Sequence, residues 1–379
     1  MACSSSRRAA MHASSVYNFA AGPGVMPREV LLEAQRELLD CRRSGMSILE
    51  MPFTGAEFQN IADQARRDLR ELLELPPHYH VLFLPGGAST QFSLLPMNLL
   101  PPDGRADYVD TGHWSRKAIA EARRYVSVNV AASGAQHGYS RLPCRRYWQL
   151  DPQAGYCHIT SNETADGLAY HRLPDTRGVP LVADMTSDFL SRPLDVERFG
   201  VIYAGAQKNV GPAGLTLVII RDDLLQTAWP ACPAALSYRV QIDSDNRFNT
   251  PPIQAIYLAG LVFRWLRSQG GLKAMAARNR RKSEALYSYI DASDFYACDR
   301  QVADRSRMNV CFHLAVPTLT AEFVEQARCQ GLLNLQGHPA VGGLRASLYN
   351  AMSEAGVDAL IAFMETFAAR HGRARRRCG

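Results

Sequence analysis

Strand-sized apolar runs alternate with stretches of helical period along most of this chain, and that alternation restricts the fold more than any other feature. His80-Val81-Leu82-Phe83-Leu84 runs into Pro85-Gly86-Gly87, and 108–109, 126–130, 156–159, 181–183, 201–204 and 215–220 read as further strands. Continuous apolar runs of this length suit strands covered on both faces. Between them, 29–43, 58–75, 88–100 and 115–124 carry apolar residues at helical spacing. The pattern predicts an α/β fold, a mainly parallel sheet with helices on both faces. Past about residue 260 the character changes: a long polar helix over 271–290 precedes strands at 308–313 and 344–348 and helices at 321–329 and 355–370. We therefore expect a large domain over 17–265, whose first residues could pack on a smaller C-terminal α/β domain over 266–371. Residues 1–16 read as a disordered extension and 372–379 as a basic tail.

Composition excludes several classes. Of 379 residues, 47% are hydrophobic and 21% charged, ordinary for a globular protein. No apolar run approaches the ~20 residues of a membrane helix, so no membrane partner is expected. The net charge of +6 owes much to Arg373, Arg375, Arg376 and Arg377. These read as a solvated tail, and nothing else in the chain supports a nucleic-acid partner. The nine cysteines have no Cys-x-x-Cys pair or metal-ligand spacing, which suits a reducing cytoplasm and no metal site. The Ser/Ala/Arg-rich start could imitate a transit peptide, but no long amphipathic stretch follows it.

One lysine stands apart from the others. Lys208 follows the run Val201 to Ala204 within Gly205-Ala206-Gln207-Lys208-Asn209-Val210-Gly211-Pro212-Ala213-Gly214, a bed of small residues that admits a flat ring. Asp184 closes the run 179–183 upstream. A lysine amine and a strand-end carboxylate are the pair that pyridoxal phosphate (PLP) requires. The amine binds the cofactor covalently, and the carboxylate keeps the pyridine nitrogen protonated so that the ring draws electrons. Gly86-Gly87-Ala88-Ser89 leads from a strand into a helix whose free N–H groups suit a phosphate, although such turns are often only turns. Trp114 follows a glycine at a strand end, where an indole either stacks on the ring or fills the core. Arg345, after Gly342-Gly343-Leu344, is either a carboxylate clamp or half of a surface ion pair.

These segments resemble the phosphoserine aminotransferases, fold-type I PLP enzymes. The blocks Asn18-Phe19-Ala20-Ala21-Gly22-Pro23, Gly86 to Phe92, Thr111-Gly112-His113-Trp114-Ser115, Ser161-Asn162-Glu163-Thr164, Asp184 to Phe189, the lysine segment, Asn249-Thr250-Pro251-Pro252 and Gly342 to Asn350 stand in family order between about Tyr17 and His371. The resemblance implies a seven-stranded-type sheet in the large domain. It implies that the amides of Ala88 and Ser89 and the side chain of Gln207 bind the cofactor phosphate. Trp114 would stack on the ring, Thr164 would bond the ring hydroxyl oxygen, and Arg345 would take the substrate α-carboxylate. Asn249 and Thr250 would complete the phosphate cup of a neighbouring subunit, which implies a homodimer with shared sites.

The chain leaves the family pattern at one place of interest. Pro52-Phe53-Thr54 stands where relatives carry Ser-His-Arg, and His338-Pro339 where they carry His-Arg. In relatives those groups bind the substrate phosphate or the distal carboxylate of glutamate. Each lost charge-assisted hydrogen bond is worth roughly 1.5–3 kcal/mol. The expectation is a transaminase acting on an α-amino acid and a 2-oxo acid with a substrate side chain other than phosphate, contacted by His338, Phe53 and Thr54. The alternatives are a genuine phosphoserine:2-oxoglutarate aminotransferase of serine biosynthesis, whose charge comes from elsewhere, and a PLP lyase or decarboxylase on the same scaffold. A non-catalytic PLP-binding protein would not need Lys208, Asp184, Trp114 and Arg345 together.

Overall fold

A computed structural model describes residues 16–226, 229–230 and 232–377. The extension ahead of residue 16 and the side chains of the C-terminal arginines lie outside the described residues. The chain opens with β1 (Tyr17–Asn18), α1 (Arg28–Arg36) and α2 (Ala56–Leu73). It continues through β2 (Tyr79–Pro85), α3 (Ala88–Leu99), β3 (Arg105–Asp110), α4 (His113–Ala122), β4 (Ser127–Ser133) and β5 (Tyr156–Thr160). The hairpin of β6 (Asn162–Glu163) and β7 (Leu168–Ala169) follows, then β8 (Leu181–Asp184), β9 (Val201–Gly205) and β10 (Leu215–Arg221).

Seven strands form the main sheet in the order β2-β10-β9-β8-β5-β3-β4. Only β10 runs antiparallel to its neighbours. Its exception has a simple cause: β9 and β10 are joined by a short loop, the segment that carries Lys208, and a short loop cannot make a parallel crossover. Alternate residues of each strand face opposite sides. Leu215, Leu217 and Ile219 join one core with α2, whereas Val218 and Ile220 join the other with α3 and α4. The C-terminal ends of β3, β5, β8 and β9 therefore share one edge with the end of β2, the edge where open α/β sheets bind ligands.

The rest of the chain comprises α5 (Tyr238–Asp243), α6 (Ile253–Ser268), α7 (Gly271–Asp291), β11 (Tyr296–Ala297), β12 (Asn309–Leu314), α8 (Thr320–Cys329), β13 (Leu332–Leu333), β14 (Leu344–Ser347) and α9 (Glu354–Arg377). A three-stranded antiparallel sheet, β11-β12-β14, packs with α7, α8 and α9 around a separate core that includes Phe19. The first strand reaches across to pair with β13 (Tyr17 with Leu332). Buried amides join the two parts: Asn162 Nδ2 donates to Asn309 Oδ1 (2.8 Å), and Asn350 N donates to Asn209 Oδ1 (3.0 Å).

Three local expectations change. The first helix stops at Arg36 rather than Arg43, because Asp40 accepts from Gly45 N (2.8 Å) and Cys41 N donates to Met46 O (2.8 Å), turning the chain. Helix α6 has no counterpart among the expected elements. Nine of its residues are buried, so it lacks the polar face that would have marked it. Helix α9 continues to Arg377, so the backbone of the basic end extends a helix.

Candidate active site

Lys208 sits beyond the end of β9, in a turn closed by Val210 N and Gly211 N donating to Ala206 O (3.1 and 2.8 Å). Its Nζ donates to Thr164 Oγ1 (2.5 Å) and lies 5.8 Å from the centroid of a Trp114 ring. Burial pulls its pKa down to about 8; Asp184 opposes that shift and the Arg345 charge adds to it. Asp184 ends β8 and is 5% exposed. One oxygen accepts from Thr186 N (2.9 Å), and burial raises its pKa against that bond and against the Lys208 charge.

Trp114 stands in the first turn of α4, which two acids hold. Glu163 accepts from Trp114 N and Ser115 N (2.9 Å each), and Asp166 accepts from His113 N (2.8 Å). Carboxylates at a helix start meet both its free N–H groups and its dipole. Burial, then the Asp166 charge, push Glu163 up to about 7. A side chain at position 112 would collide with the Asp166 carboxylate, so Gly112 is required there. Gly86, at φ +108, turns the chain from β2 into α3, whose first residues are Ala88 and Ser89. The opening amides of a helix lack intrahelical partners and point at whatever anion lies there.

These parts enclose one cavity of about 300 Å³, lined by Ala88, Ser89, Trp114, Thr164, Asp184, Gln207, Lys208, His338 and Arg345, with Thr160, Asn162, Thr186 and Ser187. Nine of the thirteen cofactor and substrate positions expected from the sequence thus meet in one place. Asn249 and Thr250 are exposed and do not line it. Phe53 packs against the core on the α2 side of the sheet, and the Thr54 carbonyl accepts from Gln59 Nε2 (2.9 Å), so neither reaches the cavity of its own chain. Glu163 and Thr186 carried no assignment from sequence. Their positions beside Thr164 and Asp184 were the available signal.

Polar groups at the cavity wall lack partners within the chain. Arg345 is 9% exposed; it donates to Thr164 O (3.3 Å), while its buried Nε has no partner and no carboxylate pairs with it among the described residues. Trp114 Nε1 and Thr160 Oγ1 are buried and unpaired as well. Each such group costs about 1–3 kcal/mol if left so. Their convergence fits a polar, anionic occupant, as does a neutralisable lysine facing a carboxylate. Among the described residues no cluster of His, Cys, Asp or Glu could hold a metal ion, and no disulfide joins the described cysteines. No helix there is long and apolar enough to cross a membrane.

Comparison with known proteins decides the family. The class-V aminotransferase family model matches residues 16–360. The chain is 56% identical over 355 residues to the phosphoserine aminotransferase of Hahella chejuensis, covering 94% of this chain and 98% of that one. It is 54% identical over 359 residues to that of Laribacter hongkongensis, covering 94% and 100%. This chain belongs to the phosphoserine aminotransferase family. Among solved structures, the phosphoserine aminotransferase from Bacillus circulans subsp. alkalophilus superposes with a TM-score of 0.92 at 44% identity, covering 94% of this chain and 99% of that one. PLP-bound phosphoserine aminotransferase from Trichomonas vaginalis superposes at 0.89 with 39% identity, covering 93% and 100%. The chain is a fold-type I, PLP-dependent transaminase. The expectation of a substrate without phosphate finds no support here, since these relatives all bear the phosphoserine name.

Proposed function

We propose that this chain transfers the amino group of phosphoserine to 2-oxoglutarate, giving 3-phosphohydroxypyruvate and glutamate, and the reverse, in cytoplasmic serine biosynthesis. The observation that carries the reading is Arg345, a nearly buried guanidinium without a carboxylate partner in the wall that also holds Lys208. It demands an anionic ligand, and an α-carboxylate meets two parallel N–H donors.

The lining suits the cofactor. Ala88 N, Ser89 and Gln207 would hold its phosphate, Thr164 its ring oxygen, Asp184 its ring nitrogen, Trp114 its face and Lys208 Nζ its reactive carbon. When bound, PLP supplies an electron sink for the pair left as the substrate α-proton departs. Arg345 orients the substrate by its carboxylate. Lys208 Nζ, its pKa lowered to about 8, takes up that proton and gives it back to complete the transfer. Asp184, held at one oxygen by Thr186 N, would pair with the ring nitrogen and keep it protonated. Glu163 and Asp166 fix the turn that carries Trp114.

Two copies of the chain would share each site, with Asn249 and Thr250 of one completing the phosphate cup of the other. Their exposure supports this. So does an apolar surface on α1 and the turns after it, where Leu39 is 86% and Leu49 62% exposed. Leu39→Glu would then weaken both dimer and PLP retention; a monomer that retains PLP and full activity would sink the shared site. The substrate reading is tested by adding phosphoserine alone. The bound cofactor should pass to its amino form with stoichiometric 3-phosphohydroxypyruvate, and 2-oxoglutarate should restore it. Product release without an acceptor, with the cofactor regenerated each turnover, would instead mark a lyase.

A further inference from the structure

The substrate's distal end needs positive charge, yet Thr54 and Pro339 stand where the family pattern has arginines. We propose that His113 and Lys117, acting with His338, form the grip on the substrate's distal anionic group. This rests on the reading of Proposed function that the substrates are phosphoserine and glutamate.

His338 lines the cavity, and its Nδ1 accepts from Ala340 N (3.2 Å). The neutral ring therefore carries its proton on Nε2, where it can donate to an anion. The His113 ring lies 4.3 Å from it, centroid to centroid, tilted by 48°. Only the backbone of His113 is occupied, on Asp166; its ring makes no hydrogen bond to a described residue. Lys117 follows one helical turn later, which places it on the same face of α4. Its Nζ lies 5.0 Å from the centroid of a Trp114 ring, and it has no acid partner among the described residues. Lys208 Nζ approaches the same indole, and His338 stands 6.3 Å from it edge-on. One tryptophan thus links the reactive amine to the three bases.

The nearby acids are already engaged. Glu163 binds the amides of Trp114 and Ser115, and Asp166 that of His113, with Arg300 donating to the Asp166 carbonyl. A further nearby cation, Arg116, turns to Gly112 O (3.2 Å) and lies 5.0 Å from the Tyr139 ring centroid. Burial, then His338 and the Lys117 and Arg116 charges, hold the His113 pKa below its ordinary value. Burial, Arg345 and Lys117 do the same for His338, against Asp166. Like charges thus crowd a site where the one acid in reach, Asp166, is already bonded to the His113 amide. A phosphate dianion would relieve that crowding, and a γ-carboxylate would do so by half as much charge.

The test uses the PLP-loaded protein and three amino donors, phosphoserine, glutamate and alanine, in single-turnover half-reactions. Lys117→Met and His113→Phe should each lower kcat/KM for phosphoserine about ten-fold, chiefly through KM, and glutamate somewhat less. Alanine should change less than about two-fold and PLP content not at all. Lys117→Arg should retain phosphoserine use. Equal losses for all three donors would mean that the residues only position Trp114, and no loss for the anionic donors would leave them outside the site; either overturns the grip. Poor phosphoserine turnover in the unaltered protein would instead sink the substrate reading. The grip would then stand or fall on the glutamate-to-alanine ratio in the variants.

Discussion

The two ends of the cavity are built differently. The cofactor end is made where strands stop: Asp184 closes β8, Lys208 follows β9, and Ala88 and Ser89 follow β2. Asp184 is buried there, Lys208 and Ala88 are half-buried and Ser89 is exposed, and all four are placed by strand ends. At the distal end Trp114 and His338 line the cavity, with the half-buried His113 ring and the exposed Lys117 beside them, while Phe53 packs on its own core. The first end keeps every chemical group of the family pattern, and the second has exchanged guanidinium for imidazole and ammonium. Reaction type and side-chain recognition are therefore separate problems here, solved by separate structural elements.

Variants can break that separation. Lys208→Ala should cut turnover by at least ~10⁴ for every amino donor, since both the cofactor tether and the proton carrier go. Borohydride reduction should fix cofactor to position 208 in the unaltered protein alone. Arg345→Ala should lower kcat/KM by about 10²–10³, again for every donor, because the α-carboxylate is common to all of them. If either loss were confined to phosphoserine, the two ends would not be separate. Lys208 also sets a pH dependence. Its amine is protonated below about 8, so the rate of PLP capture by cofactor-free protein should climb roughly ten-fold per pH unit up to that point and then level. A rise continuing to the range of an ordinary lysine would mean that the site does not desolvate it. The smallest effect is a gain: Pro339→Arg, next to the cavity residue His338, should raise phosphoserine use at most about ten-fold over a grip already present. A gain of several hundred-fold would mean that the natural distal end is not a phosphate site.

The cofactor end was the legible part. Asp184 and Lys208 follow short apolar runs that suit covered strands, so both were assignable to one sheet edge, and Gly86-Gly87 marked the start of a helix. The sheet itself was readable because its apolar runs are of strand length and several are bounded by Gly or Pro. Helix α6 escaped notice because it is apolar nearly all round, and the early end of α1 because Asp40 competes for the backbone. At the distal end sequence spacing was less informative. Phe53 and Thr54 do not line the cavity of their own chain, and nothing in a linear pattern says which way a turn faces. His113 passed unassigned because its place beside His338 depends on α4 meeting a loop more than two hundred residues away.

The central claim is that a cofactor end of family type serves a distal end that still binds phosphate. The most direct measurement is kcat/KM for phosphoserine with 2-oxoglutarate as acceptor, set against alanine under the same conditions. The structure predicts a value of ordinary enzyme efficiency for phosphoserine, roughly 10⁴ M⁻¹s⁻¹ or better, and at least about ten-fold above alanine. Alanine equal to or better than phosphoserine, in protein that is fully loaded with PLP, would contradict it.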